Sequence, residues 1–352
     1  ELARDLVVDM LAERLTDLET STGTLMSNVG IGDRQFLLSR TRDALMVRAG
    51  TSPGREAECV NAIAAELRRA ARHGFTDVEL QRAKLDERAR LDRQFTARTK
   101  TTNTEYARTY VRHYLDGGAL PSQEQYYKMM KGVLGQVGLE QVNDYVRSVV
   151  SPDCRNVVLV AYLPGNNDIA LTDATLADAY ASVDEAALAP YVVHDLDKPL
   201  LAEMPVAGKI VSEKADSLVG STVWTLSNGI RVQLKKTDYN PDHVVIAGYS
   251  PGGFSAGYNP ALAPEYHLVN DVLAAGAYGG HTATDLRRMT AGKDVRVDVS
   301  IDNMEERLLA SSATSDLETA LQLMYLKATQ PTRDDQAFTS IIENHRMKLS
   351  SQ

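Results

Sequence analysis

Two histidines one helical turn apart, with a glutamate between them, form a compact device for peptide hydrolysis. The imidazoles share a helix face and grip one zinc ion, and the carboxylate takes a proton from the metal-bound water. The sequence contains neither H-x-x-E-H nor H-E-x-x-H. Its nearest approach is His267-Leu-Val-Asn-Asp271, which keeps the first histidine, places Asn270 at the base position and puts Asp271 where the second histidine would stand. An amide accepts no proton at neutral pH, so water activation fails there even with a metal in place. The expectation is that residues 1–352 carry no catalytic and no metal-binding residue; substrate-binding residues are not identifiable.

Other chemical candidates are weaker. His73, His113, His194, His243, His281 and His345 are scattered singly, and Glu343-Asn-His345 lacks helical ligand spacing. Gly276, Gly279 and Gly280 make no phosphate-binding loop, and Gly276 reads as a helix cap. Pro251-Gly-Gly-Phe254 reads as a strand-ending turn rather than an anion nest. The only cysteines, Cys59 and Cys154, support neither a disulfide framework nor a thiolate metal site.

Composition narrows the class. Hydrophobic residues at 43% and charged residues at 24% describe a globular chain, and 352 residues exceed what one core usually organises. A net charge of −9 argues against nucleic acid as a partner. The base-rich stretch Arg82 to Lys100 also holds Asp86, Glu87 and Asp92, as a solvated helix face does. No apolar run approaches the ~20 residues of a membrane-spanning helix, so no membrane partner is expected. The chain lacks an initial Met and stops at Lys348-Leu-Ser-Ser-Gln352 within a helical pattern, so it is expected to be an internal piece of a longer protein.

The pattern predicts a first helix with Leu2, Leu6, Val7, Met10, Leu11 and Leu15 on one face, ended by Gly23. A strand pair over 35–39 and 43–49 follows, then a helix to His73 closed by Gly74. Thr76-Asp-Val-Glu79 is a capping box opening a polar helix to Phe95; Ser122-Gln-Glu-Gln125 opens another, and helices continue to Val150. The apolar run Asn156 to Tyr162 reads as a buried strand, and 173–188 as a helix. Pro199 and Pro205 break regular structure in a linker, 191–219, where Leu200, Leu201, Met204 and Ile210 offer apolar anchors. Beyond it, Ser221 to Ser227, the Asn228-Gly229 turn and Ile230 to Lys235 spell a type I′ hairpin. A strand at 243–250, helices at 264–275 and 282–291, and strands at 295–301 and 307–313 come next. Ser315-Asp-Leu-Glu318 reads as a capping box before the last two helices.

Trp224-Thr-Leu-Ser-Asn-Gly-Ile-Arg-Val, then Lys235-Lys-Thr-Asp-Tyr-Asn-Pro-Asp-His-Val-Val and Ser250-Pro-Gly-Gly253, resemble the opening of the third domain in large four-domain insulinase/pitrilysin-type zinc metallopeptidases. Lys198-Pro-Leu-Leu and Pro205-Val-Ala-Gly-Lys-Ile-Val resemble the linker between their halves. Residues 1–190, with Gly74-Phe-Thr-Asp-Val-Glu-Leu-Gln-Arg-Ala-Lys, are similar to the family's second domain.

The resemblance implies an α+β fold of two repeated α/β units, each an antiparallel-rich sheet packed by helices: 1–190, a linker 191–219, and a zinc-less unit 220–352. It implies a clamshell peptidase acting on peptides or small unfolded proteins. The zinc would be held by a first domain outside this segment, with none here, and this segment would be inactive wall and hinge packed against first and fourth domains. A periplasmic or cell-envelope location is implied in the same way. The alternative is a family homologue without zinc, serving as a non-catalytic subunit or scaffold; an intact H-x-x-E-H upstream would separate the two.

Overall fold

The computed structural model describes residues 1–23, 25–35, 43–151, 155–163, 171–193, 198–240 and 242–350. Its architecture is mixed helix and sheet, with small antiparallel sheets. Helix α1 (Leu2–Thr22) buries the six apolar residues expected of it. Strands β1 (Ser27–Gln35) and β2 (Asp43–Gly50) pair antiparallel beneath it. The first strand therefore begins well before the expected 35–39, of which 36–39 fall outside the described residues. Gly30 and Gly32 disguise it; pairing with β2, not side-chain propensity, makes it a strand.

Helix α2 (Glu56–His73) ends at Gly74, where φ is 76° and a Cβ would lie 2.7 Å from Asn143 Nδ2. Asn143 Oδ1 accepts from the next backbone amide, Phe75, at 2.7 Å. The expected Thr76–Glu79 capping box then starts α3 (Asp77–Thr96). Helices α4 (Asn103–Asp116), α5 (Gln123–Gln136) and α6 (Leu139–Val149) follow, α5 with its capping box at Ser122. Leu6, Val7, Leu11, Ala70, Phe75, Leu80, Val142 and Val146 join these helices in one core.

Two expectations fail here. Helix α7 spans only Asp173–Ala181, because the Asp184 carboxylate accepts from Ala186 N at 3.0 Å and begins a separate turn, Glu185–Ala187. The run 156–162 is not a strand. Val157 and Leu159 lie beside Leu176 and Ala177 of α7, whereas Val158 and Val160 face outward and Tyr162 is 93% exposed. The period-2 alternation is present, but among the described residues no neighbouring strand supplies hydrogen bonds.

The later part contains β3 (Ile210–Asp216), β4 (Ser221–Leu226) and β5 (Arg231–Leu234) in a sheet ordered β3-β4-β5. Strand β3 thus lies inside the stretch expected to be irregular linker, because it pairs with β4 from Ile210↔Leu226 to Asp216↔Ser221. The hairpin at Asn228-Gly229 forms, but not as type I′. Only Gly229 has positive φ (88°), and its amide donates to Leu226 O at 2.9 Å, making a three-residue loop with a glycine bulge.

A second sheet, β6-β9-β8, is built from β6 (His243–Pro251), β8 (Val295–Ile301) and β9 (Glu305–Ala313). Between β6 and β8 the chain makes α8 (Ala263–Ala275), β7 (Ala277–Tyr278) and α9 (Ala283–Met289). Helix α10 (Leu317–Thr329) packs on the sheet, β10 (Pro331–Thr332) pairs with β7, and α11 (Asp335–Ser350) packs against α8. Leu286, Val297, Ala310, Leu323 and Leu326 form this core, into which Leu201 is tucked; Met204 and Ile210, also expected as anchors, are exposed. The Ser315 capping box is not made: Ser315 lies inside a turn, Thr314–Asp316, and α10 begins one residue later with Asp316 at the cap position.

Candidate functional site on helix α8

The segment singled out by its chemistry, His267 to Asp271, lies on α8, and His267 and Asp271 share a face one turn apart. His267 is exposed. Asn270 spends both ends of its amide on the end of β8: Nδ2 donates to Ile301 O at 3.0 Å, and Oδ1 accepts from Ile301 N at 2.8 Å. Asp271 Oδ2 lies 2.7 Å from His345 Nε2 on α11. Two positions of the degenerate motif therefore pin α8, one to the sheet and one to a helix. His345, set aside from its sequence spacing, enters through this contact, which sequence distance conceals.

This donor set does not fit zinc hydrolysis. The residue at the base position is an amide with donor and acceptor both engaged, and Asp271 is already paired. Among the described residues, no group of three or more His, Cys, Asp or Glu side chains is placed to hold a metal. Two of the other described histidines serve locally: His73 Nε2 lies 2.7 Å from Leu188 O, and His113 meets Gly118 O. His194 lies outside the described residues. The Pro251–Phe254 turn is no anion nest, because Gly252, Phe254 and Ser255 amides donate to Met304, Asp302 and Asn303 carbonyls.

Beside α8 is an apolar cavity of about 350 Å³, lined by Val272, Leu273, Tyr278, Phe338 and Ile341 with Asp334 and Asp335 at one side.

The strongest electrostatics lie elsewhere. Arg14 is fully buried in α1: Nε donates to Glu79 Oε1 at 2.6 Å, and one terminal nitrogen to Glu79 Oε2 at 2.9 Å and Gly74 O at 3.0 Å. Its guanidinium also lies over the Phe75 and Tyr191 rings, 4.7 and 4.3 Å from their centroids. A second cluster joins the two parts of the chain. Arg288 of α9 donates to Glu13, Asp17 and the Tyr191 hydroxyl, Tyr191 donates to Asp17, and Arg82 donates to Glu13 at 2.6 Å. Burial opposes the Arg288 charge, but the Glu13 hydrogen bond and Asp17 hold its pKa above the usual arginine value. Burial and the hydrogen bond to Asp17 likewise raise Tyr191. Arg288 is almost fully buried among these partners, so the cluster reads as structural.

No protein-family model matches the chain. The Zinc protease PQQL-like of Arabidopsis thaliana is 23% identical over 253 residues, 72% of this chain and 24% of that protein. The Probable zinc protease PqqL of Escherichia coli is 23% identical over 357 aligned residues, 96% of this chain and 36% of that protein. The chain thus spans between a quarter and about a third of the curated relatives it matches. Among solved structures, a mutant of the ferredoxin protease FusC bound to Arabidopsis ferredoxin matches with a TM-score of 0.54 at 16% identity, over 99% of this chain and 39% of that one. The periplasmic protease PqqL from Escherichia coli gives a TM-score of 0.43 at 20% identity, over 99% and 38%.

Proposed function

Because this chain belongs to the insulinase/pitrilysin-type zinc peptidase family, we propose that it forms the non-catalytic wall and hinge of a longer metalloendopeptidase that encloses peptides or small unfolded proteins in a clamshell chamber. The observation that carries this reading is the use of Asn270: the residue at the base position braces α8 to β8 through both amide atoms. On this reading residues 1–190 are a second domain, 191–219 a linker and 220–352 a third, zinc-less domain. The zinc and its water-activating carboxylate belong to a first domain outside these residues, and first and fourth domains pack against them. Peptide is the substrate class, by extension from relatives named as proteases. A cell-envelope location extends the description of PqqL as periplasmic.

The test uses the full-length parent. It is expected to cleave unfolded polypeptide, to lose that activity to a chelator, and to keep it in His267→Ala and Asp271→Ala variants. Loss of cleavage in those well-folded variants, or one tightly held zinc per isolated 352-residue chain, overturns the assignment. A parent that cleaves nothing and holds no zinc supports the scaffold alternative instead.

A further inference from the structure

We propose that Asn228, at the tip of the β4–β5 hairpin, is a site of slow covalent modification by water, passing through a cyclic imide to aspartate and isoaspartate. The inference is independent of the chamber reading, and solvent is the only reactant it requires.

Residue types set the chemistry. In an Asn-Gly pair the glycine backbone nitrogen can act as a nucleophile toward the asparagine side-chain carbon, Cγ. A side chain on the second residue would crowd that approach. Asn228-Gly229 is the one such pair in the sequence; every other asparagine precedes a residue with a side chain or a proline. Asn228 and Gly229 are both exposed, and no atom lies within 4 Å of where a Gly229 Cβ would stand.

The turn supplies a second ingredient. Ile230 N donates to Asn228 Oδ1 at 3.1 Å, which folds the side chain back over the following peptide unit. Oδ1 is the atom that gains negative charge as the Gly229 nitrogen bonds to Cγ. The Ile230 amide therefore stands where a donor to that oxyanion is needed. Gly229 N donates to Leu226 O at 2.9 Å, beyond the last strand pair, Thr225 with Arg231. Releasing that bond frees the nucleophile without unzipping β4 from β5.

The bonds balance without oxidant or reductant. Gly229 N loses its proton to hydroxide and bonds to Cγ, the Cγ–Nδ2 bond breaks, and Nδ2 leaves as ammonia. Water then opens the imide ring. Attack at Cγ yields aspartate, and attack at the main-chain carbonyl of residue 228 yields isoaspartate. Either product adds a negative charge, and isoaspartate lengthens the backbone by one methylene. That extra length falls within the loop closed by Leu226 N to Ile230 O at 2.8 Å, so the tip loosens while the strand register stays.

Other asparagines are protected. Asn143 and Asn270 lie in helices with their amides committed, to Phe75 N and to both backbone atoms of Ile301. Asn240 and Asn259 precede proline, which has no N–H to deprotonate.

The test incubates the 352-residue protein at pH 8 in heavy-oxygen water and digests it with trypsin. Asn228 is the only asparagine in the fragment Ala215–Arg231. Mass and retention are compared with synthetic asparagine, aspartate and isoaspartate forms of that peptide. This fragment should take up solvent oxygen before any other asparagine-bearing fragment and should contain isoaspartate. Its rate should lie within about tenfold of the free peptide's. Asn228→Gln should abolish the isoaspartate and leave circular dichroism unchanged. An earlier reaction at another asparagine overturns the proposal. So does a slower rate than that range, which would mean that the turn shields Asn228. Aspartate without isoaspartate would mean direct hydrolysis of the side chain, and isoaspartate persisting in the glutamine variant would place the reaction at Asp216; each also overturns it.

Discussion

Helices α1 and α8 pose the same problem to the fold and receive opposite treatment. Helix α8 has proportionally more apolar residues, yet none of its side chains is buried. Helix α1 is studded with charges, yet it buries six apolar residues and Arg14 as well. The difference lies in the company. Helix α1 is packed by α2, α3, α6 and β1, so even its arginine meets a bidentate carboxylate, a carbonyl and two rings. Helix α8 is held by β8 and α11 through particular polar contacts and by Tyr266 stacked on Phe254, which leaves its apolar side chains only partly covered. Burial follows the partners a fold supplies more closely than it follows the hydrophobicity of the segment.

The largest expected effect breaks the α1 side of this contrast. Arg14→Ala leaves Glu79 buried without its cation and should cost about 3–5 kcal/mol in urea unfolding. A cost below about 1 kcal/mol would mean that the buried charge is incidental. Next, Arg288→Ala removes the cation between Glu13 and Asp17 and should cost about 2 kcal/mol, separating the unfolding of the two parts into two transitions. One unchanged transition would show that other contacts couple them.

On the α8 side the expected effects are smaller. Asn270→Ala removes both hydrogen bonds to Ile301 and should cost about 1–2 kcal/mol. Asn270→Glu restores the residue type of an active motif, but should destabilise similarly and yield no peptide cleavage. Stability equal to wild type in both variants would remove the bracing role.

The smallest effect concerns Asp9 on α1, an exposed carboxyl whose pKa is raised to about 6 by partial desolvation against the helices around it and by nearby Glu87, Asp5 and Asp86, against the pull of Arg90. A carboxyl raised in the folded state favours folding at low pH, and that contribution is lost as pH rises through about 6. Asp9→Asn should therefore stabilise the protein at pH 8 and not at pH 4. The gain should be about 1 kcal/mol, because water reaches the side chain and screens the effect. A gain at pH 4, or none at pH 8, would contradict the assignment.

These contrasts explain what the sequence made legible. The Thr76–Glu79 and Ser122–Gln125 capping boxes are complete within four residues, and both form. The box at Ser315 has the same local signal, but Ser315 is taken into the turn Thr314–Asp316 and the helix starts at Leu317, which leaves its side chain one residue out of place. The Asn228-Gly229 dipeptide marked the hairpin correctly, while its turn type depended on backbone geometry that the dipeptide does not dictate. The run 156–162 reads as a strand by itself, and what it lacks is a pairing neighbour among the described residues. Degeneracy at Asn270 and Asp271 was visible as a departure from a motif. Their present occupations were not, because Ile301 and His345 lie 31 and 74 residues away.

The two ends of the connection between the parts are both fastened, Tyr191 against Arg14, Asp17 and Arg288, and Leu201 in the later core. Ten residues of fully extended chain reach at most ~35 Å. Opening the Arg288 cluster while those anchors hold cannot carry the two parts beyond that radius. Re-closure is then an encounter between tethered surfaces at an effective concentration on the order of millimolar, independent of how dilute the protein is. A contact too weak to hold two separate molecules together suffices to hold these.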